Sequence, residues 1–496
     1  MMTMPRHTLL ALAIGINAAL IPVALAAGPS SAETRAKDAQ AEENYAYSVG
    51  LQTYIFGRPL AVFERERRLR LIPAAIERAQ KFAPAAFANQ IGHMTRLATA
   101  DDEMPYTPNN DTMYSGALVQ LDDEPIILTV PAIHDRYWSV QVADNFTSNL
   151  FYVGTRATGG NAGHHAFVGP NWKGTLPKDV IEHRVQSNGL MVGLRIGVLP
   201  NDTEDEKKVV DLQKKFALTS LSNWGNPSTF GQAAVPKRFL DRPAYISPSG
   251  AYVKYQGELG VYETLADLLN EDPLPKEHDG ARELLKRAGI VPGQAFDAGK
   301  LSDAARKGLA RAAADGESII EWKKKYRGTP YPTRWNNLRP GTYGTDYLDR
   351  ALGAVEGLFV HDREEAVYFS TYEDSQGNLF DGNNKYVLHL NKDEIPTVMP
   401  NGFWSITLYR ADGRNLQKNP INRFAIGDRT KGIGYNADGS LDIYIQSTPP
   451  AGKESNWLPS PPSGNFRLNY RVYLPSGPVR NPDTMIKYIP GVKRAD

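Results

Sequence analysis

The sequence predicts a mainly β protein with helical segments: two β-rich regions, a helical lead-in and a helical middle region. Three observations carry that prediction. From Tyr114 to Arg195, short alternating runs such as SGALVQL, PIILTV and RYWSVQVA are bounded by Gly, Pro, Asn or Asp. The same grammar returns from Ala366 to Tyr473 in AVYFSTY, YVLHL, GFWSITLY, LDIYIQS and FRLNYRVYL. Strands at this spacing indicate antiparallel sandwiches or barrels. Before and between these regions, apolar positions recur every three or four residues, the period of a helix with one buried face.

Taken in order, residues 1–26 read as a secretory signal. Arg6 and His7 precede an apolar run from Leu9 to Leu25, which closes on the small-x-small pattern Ala24-Leu25-Ala26. Residues 27–88 form the helical lead-in, from KDAQAEENYAYSVG to ERAQKFAPAAFA. Residues 89–202 are the first β region. Residues 203–358 are helical again, opening on Thr203-Glu-Asp-Glu206 as an N-terminal cap and continuing through VYETLADLLN, ARELLKRAG and DYLDRALGAVEGLF. Residues 359–496 are the second β region, with turns at Asp381-Gly382 and Asp438-Gly439. The mature chain is expected to be exported, periplasmic or secreted, and soluble, with no membrane span left after signal cleavage.

The 56 basic and 55 acidic residues become 55 of each once Arg6 is removed. A nucleic-acid partner needs a basic footprint to displace counterions from phosphates, and this balance argues against one. The chain has no cysteine, which excludes disulfides, thiol nucleophiles, thiolate metal sites and covalently attached c-type haem. No cofactor is indicated. A small-molecule ligand and a homo-oligomer are both compatible with the sequence.

One internal echo stands out. Tyr137-Trp-Ser-Val-Gln-Val142 is matched by Phe403-Trp-Ser-Ile-Thr-Leu408, and Asn-Leu follows eleven residues after each tryptophan. Strand alternation puts Trp138, Val140 and Val142 on one face, as it does Trp404, Ile406 and Leu408. Six positions are too few to establish a duplication. Two independent core hairpins are the simpler reading.

At these residues a family resemblance appears. TPNNDTMYSGALVQLDDEPIILTVP and DRYWSVQVADNFTSNLFYVGTRATGGNAG resemble the bacterial family called domain of unknown function 1254. NGFWSITLYRADGRNLQKNPINRFAIGD, with the later NWLPSPPSGNFRLNYRVYLP, resembles its usual partner, domain of unknown function 1214. The likeness runs from about Tyr45 to Tyr473. It implies an immunoglobulin-like β-sandwich for the first domain and a jelly-roll-type sandwich for the second, and it supplies no reaction. Where relatives carry an acidic residue after the Gly-x-Gly bend, this chain has His164-His165, so a role of that acid does not transfer.

No nucleophile elbow, His-Glu-x-x-His or phosphate-cradling loop is present. His164 and His165 are read as a solvated turn before strand AFVG and His389 as a satisfied sheet histidine, so no metal site is assigned. The stretch Thr107–Ser115, TPNNDTMYS, reads first as a turn whose Asx side chains bond their own backbone. As a ligand pocket it would offer Asn109, Asn110, Asp111 and Tyr114, joined by Asn149, Tyr152 and Arg156. In a hydrolase or lyase, Asp111 or Asp144 would be the general base, and Arg136 or Arg156 would stabilise developing negative charge. The second region offers Asn422, Arg423, Asn456, Trp457 and Arg471. Asn456-Trp457 reads as a loop staple before a sugar-stacking platform, and Asp438 or Asp442 as the partner of a buried Arg471. The expectation is binding of a small polar, anionic or carbohydrate-like molecule, with the hydrolase or lyase and an envelope-associated structural protein as the alternatives.

Overall fold

The computed structural model describes residues 32–103, 107–240, 257–272, 274–324, 326, 328–411 and 415–495. Residues 1–26, read from the sequence as a signal, lie outside the described residues. Among them, no helix is long and apolar enough to cross a membrane.

Nine strands build the first β unit: β1 (Gly92–His93), β2 (Thr112–Gln120), β3 (Ile126–Val130), β4 (Trp138–Asp144), β5 (Asn149–Gly154), β6 (Gly163–Val168), β7 (Val180–Arg184), β8 (Gly189–Gly197) and β9 (Ala217–Ser220). They form two sheets, in the orders β1-β2-β8-β4-β5 and β7-β6-β3-β9. Alternation along β2, β4 and β8 turns Met113, Val119, Trp138, Val140, Leu194 and Ile196 inward, where they meet Ile126, Leu128, Phe167 and Leu218 of the second sheet. All three expected core positions of the first echo strand, Trp138, Val140 and Val142, are buried. Because β9 closes this unit, it runs past residue 202. The helix Thr203–Gln213 belongs to it as well, since the Gln213 amide donates to the carbonyls of Met94 and Tyr114. Asp202, not Thr203, caps that helix, accepting from the Asp205 N–H at 2.9 Å.

The second unit contains β10 (Thr329–Pro330), β11 (Asn336–Asn337), β12 (Ala366–Thr371), β13 (Lys385–Leu390), β14 (Val398–Arg410), β15 (Ala425–Gly427), β16 (Leu441–Gln446), β17 (Trp457–Pro459), β18 (Phe466–Pro475) and β19 (Lys493–Ala495). Its sheets run β10-β11-β12-β18-β14-β15 and β17-β16-β13-β19. Leaving aside the short edge strand β10, each order repeats that of the first unit strand for strand. Even the sense is kept: β6 pairs β7 in parallel and β16 pairs β17 in parallel, while β3–β9 and β13–β19 are antiparallel. The two-hairpin reading of the tryptophan echo is therefore corrected. Trp138 and Trp404 occupy the same place in the same topology, a relation that six residues could not reveal.

The helical lead-in and the helical middle form one layer. Helix Ala32–Leu69 packs against Gly260–Glu271, Asp303–Lys324 and Tyr347–Glu356, burying Phe56, Leu60, Tyr262, Leu265 and Leu309. A buried ion network ties this layer to the first sheet. Glu64 accepts from Arg67 and Arg68, Arg67 reaches Glu271 at 2.7 Å, and its other nitrogen donates to Gln120 on β2. Burial alone raises the Glu64 pKa, but the two guanidiniums outweigh it and hold the group below its ordinary value.

Candidate functional site

Each large sheet has one face in its sandwich core, so strand alternation must aim the other face outward. On the first sheet the outward row pairs Tyr114 with Arg195, Gly116 with Gly193 and Leu118 with Met191. Arg195 also pairs with Ser139 across β4. On the second sheet, Tyr368 pairs with Arg471 across β12–β18, and Arg471 with Ser405 across β14–β18. The two outward faces look at one another across a cavity of about 280 Å³. Tyr114, Leu118, Met191 and Arg195 line it from one unit, Tyr368, Asn469, Arg471 and Tyr473 from the other. Phe82 to Pro84 and the segment Glu356–Val360 form further parts of the wall, with Glu66 of the helix Ala32–Leu69, Arg70 just past its end and Arg467 of β18. Phe359 adopts a left-handed backbone, φ 68°, and lays its ring over Gly193, where an added Cβ would stand 2.8 Å from it. A cavity between units, apolar in part and holding a few convergent polar groups, has the form of a small-molecule site.

The two arginines dominate its chemistry. Arg195 is 8 % exposed and Arg471 5 %. Arg195 donates to the Gln141 side chain at 3.0 Å, to the Phe359 carbonyl at 2.7 Å and to Nε2 of His361. Its Nε is buried without a partner among the described residues. His361 is pushed well below its ordinary pKa by burial and then by Arg195 and Arg156. It is thus neutral, with Nε2 as the acceptor that Arg195 requires. Arg471 donates to the Thr407 hydroxyl at 3.0 Å and to the Tyr409 hydroxyl at 2.8 Å. Neither arginine forms an ion pair among the described residues. Burial pushes the pKa of Tyr368 up to about 12 and raises that of Tyr473 well above its ordinary value, so both hydroxyls keep their protons at physiological pH. The expectation that Asp438 or Asp442 meets Arg471 is corrected: Asp438 caps Ser440, and Asp442 pairs with His389 at 2.7 Å.

Of the residues singled out from sequence, Tyr114 and Arg471 reach this cavity, as do Thr107, Pro108 and Ser115 of the TPNNDTMYS stretch. The others serve the fold where they stand. Asn109 accepts from the N–H groups of Asp111 and Thr112 and donates to the Tyr473 hydroxyl at 2.7 Å, the Asx turn expected. Asn110 donates to the Ala98 carbonyl. Asp111 accepts from Ser405 at 2.6 Å and lies 3.7 Å from Arg429. Arg136 clasps Asp205. Asp144 accepts from the N–H groups of Phe146 and Ser148, and burial lifts its pKa to about 6. Asn149 donates to Val360 and Asp362, whose N–H donates to the Tyr152 hydroxyl. Arg156 binds Glu365 at 2.7 Å. None of Asp111, Asp144, Arg136 and Arg156 lines this cavity.

In the second unit, Asn422 sits exposed on a left-handed turn. Arg423 donates to the carbonyls of Glu454, Ser455 and Trp457. Asn456 bonds the backbone of Gly434 and Asp442. Trp457, 4 % exposed, donates to Gln446. Trp457 begins β17 and pairs with Tyr444, so it stands in a strand where a loop was expected. Asn110, Asp111 and Arg423 border a second pocket of about 10 Å³, room for about one water.

The His164-His165 reading is also corrected. Both lie in β6, His164 against Thr129 and Trp224, while buried His165 pairs with His183 at 3.0 Å. Among the described residues, no group of three or more His, Asp or Glu side chains could hold a metal.

Sequence reading missed Arg195, His361 and Glu365. For Arg195 a signal existed: one cation stands at an outward position of the otherwise apolar strand GLMVGLRIG. His361 and Glu365 reach the site through tertiary contacts with residues more than 100 positions away in sequence, such as Arg195, Tyr473 and Tyr137.

The model of the family described as protein of unknown function DUF1254 matches residues 88–220, and that of protein of unknown function DUF1214 matches residues 365–477. No curated protein matches the chain. Among solved structures, the VPA0106 protein from Vibrio parahaemolyticus is similar with a TM-score of 0.66 and 22% identity, over 91% of this chain and 100% of that one. At that identity the likeness concerns the fold alone. An uncharacterised protein from Burkholderia cenocepacia aligns over 94% of this chain and 90% of its own, with 12% identity and a TM-score of 0.41. With one family in each β unit, this chain combines a DUF1254 region with a DUF1214 region.

Proposed function

We propose that the protein binds a small anionic molecule in the cavity between its β units. One observation carries this reading: two buried guanidiniums, Arg195 and Arg471, line one hollow with only neutral partners. A buried charge without a counter-charge is costly, by several kcal/mol per ion. An anionic ligand supplies the missing charge and accepts forked hydrogen bonds. The half-buried Phe82, Leu118 and Leu358 on the same wall favour a ligand with an apolar portion over a bare ion. The hydrolase or lyase reading draws no support from Asp111, Asp144, Arg136 or Arg156, all of which serve the fold.

The test is a thermal-shift panel of carboxylates, phosphate esters and neutral sugars on the purified mature chain. An anion present at about 100 times its Kd stabilises by about 2.7 kcal/mol and raises Tm. A panel in which only neutral sugars raise Tm overturns the reading.

We also take the chain to be exported, periplasmic or secreted, on the basis of the signal pattern at residues 1–26. Cell fractionation with N-terminal sequencing checks it: an intact Met1 on cytoplasmic protein refutes it. For fold class, the shared strand order favours a single sandwich type used twice over an immunoglobulin-like first unit and a jelly-roll second unit.

A further inference from the structure

The residues around the cavity repeat as the strands do. Tyr114 faces Arg195 across β2–β8, and Tyr368 faces Arg471 across β12–β18. Arg195 sits opposite Ser139 and donates to Gln141 two residues on; Arg471 sits opposite Ser405 and donates to Thr407 two residues on. Each serine also faces a glycine, Gly154 or Gly427, on the next strand. A Cβ there would lie 2.4 Å from the Trp138 carbonyl oxygen in one unit and 2.0 Å from that of Trp404 in the other. The residue after each glycine accepts from the tryptophan N–H: Thr155 from Trp138 at 3.0 Å, Asp428 from Trp404 at 3.1 Å.

The following residue crosses to the other unit. Arg156 reaches Glu365, the residue just before β12, and Arg429 reaches Asp111, the residue just before β2. The two ion pairs are reciprocal, as contacts across a twofold axis must be. Tyr137 and Phe403, equivalent by the same count, meet each other with ring centroids 5.9 Å apart. Equivalent residues that touch lie beside the axis. The cavity thus has a Tyr–Arg corner from each unit, related by an approximate twofold. The corners do not converge through shared partners: Arg195 is held by Gln141, Phe359 and His361, Arg471 by Thr407 and Tyr409.

We infer that the cavity takes a ligand carrying two anionic groups, a dicarboxylate or chemically similar dianion, with one group at the Tyr114–Arg195 corner and the other at Tyr368–Arg471. This rests on the anion-binding reading above and narrows it. Each guanidinium then gains its own counter-charge, and the apolar wall between the corners covers the linking chain.

Isothermal titration of the full mature chain with matched acids tests it: pentanoate against glutarate, octanoate against suberate, with the corresponding diols as neutral controls. For at least one chain length the diacid binds at least about ten-fold tighter than its monoacid. Arg195→Gln and Arg471→Gln each reduce the diacid to the monoacid level, with unliganded melting curves reporting whether the variants fold. The wild-type series decides even if a variant does not fold. Monoacids binding as tightly as diacids at every length overturn the two-headed ligand and leave the anion-binding reading standing. Binding of diols with no binding of acids overturns both.

Discussion

The protein buries a pair of arginines in two places. Arg67 and Arg68 lie under the helical layer, 2 % and 4 % exposed, with Glu64 and Glu271 against them. Arg195 and Arg471 lie at the cavity with amide, hydroxyl, carbonyl and imidazole partners. Residue type and burial are alike; the counter-charge is what differs. In the first pair the fold has closed its own electrostatic balance. In the second no carboxylate among the described residues lies within ion-pair distance of either guanidinium, and the proposed anion would supply that charge.

That contrast can be broken most forcefully at Glu64. Glu64→Gln leaves Arg67 and Arg68 short of a charge and is expected to cost about 3–5 kcal/mol, read by chemical denaturation. A loss below about 1 kcal/mol would show that the first pair is no better balanced than the second.

Asp144 comes next, as the mirror case of a buried acid without an ion pair at its carboxylate. Its folded pKa stands at about 6, above an ordinary value of 3.8. The folded state therefore holds the proton more tightly. The stability this contributes is full below about pH 3.8 and is lost as pH rises through about 6. Asp144→Asn keeps an oxygen for the Phe146 and Ser148 N–H groups. It should flatten the pH dependence between about 4 and 6 and gain up to about 2 kcal/mol at pH 7. An unchanged pH profile in denaturation curves would refute that assignment.

The cavity pair is expected to respond less in the unliganded protein. Arg195→Gln or Arg471→Gln removes a charge that has no ion-pair partner among the described residues and leaves a side chain able to hydrogen-bond, so the unliganded melt should move by about 1 kcal/mol or less. Stabilisation by a diacid should fall to the monoacid level in the same variants. A loss matching that of Glu64→Gln would make the two pairs alike and remove the ground for a ligand. The smallest effect belongs to the exposed pair Lys207–Glu204, where Glu204→Gln should change stability by less than about 0.5 kcal/mol.

How much of this was legible in the sequence follows from the range of each interaction. Alternation in YWSVQV and FWSITL announced inward tryptophans, and Trp138 and Trp404 are buried to 1 % or less. The Asn-rich turn was equally readable, because Asn109 bonds backbone within three residues of itself. The same polarity misled the choice of site. Asp111, Asn149 and Arg156 sit in polar stretches and are consumed by cross-unit bonds that no local pattern encodes. Arg195 was overlooked for the opposite reason, hidden in an apolar strand whose outward face only pairing with β2 and β4 defines. The duplicated topology escaped for a related cause. Strand order depends on partners such as β2 and β8, whose paired residues lie roughly 70–85 positions apart, and away from the tryptophan motif the identities between the halves, such as Tyr114 with Tyr368 and Arg195 with Arg471, are single residues that only the paired topology aligns.

The helix Ala32–Leu69 carries one more implication, for the order in which the chain is made. It is synthesised early, yet the helix Tyr347–Glu356 that packs on it ends roughly 290 residues later. At about 5–20 residues per second, translation takes roughly 15–60 s to deliver that partner. Through that interval Phe56 and Leu60 have only part of their native cover. A nascent chain in this condition is a natural client for a holding chaperone, and any truncation before residue 347 should leave it one permanently.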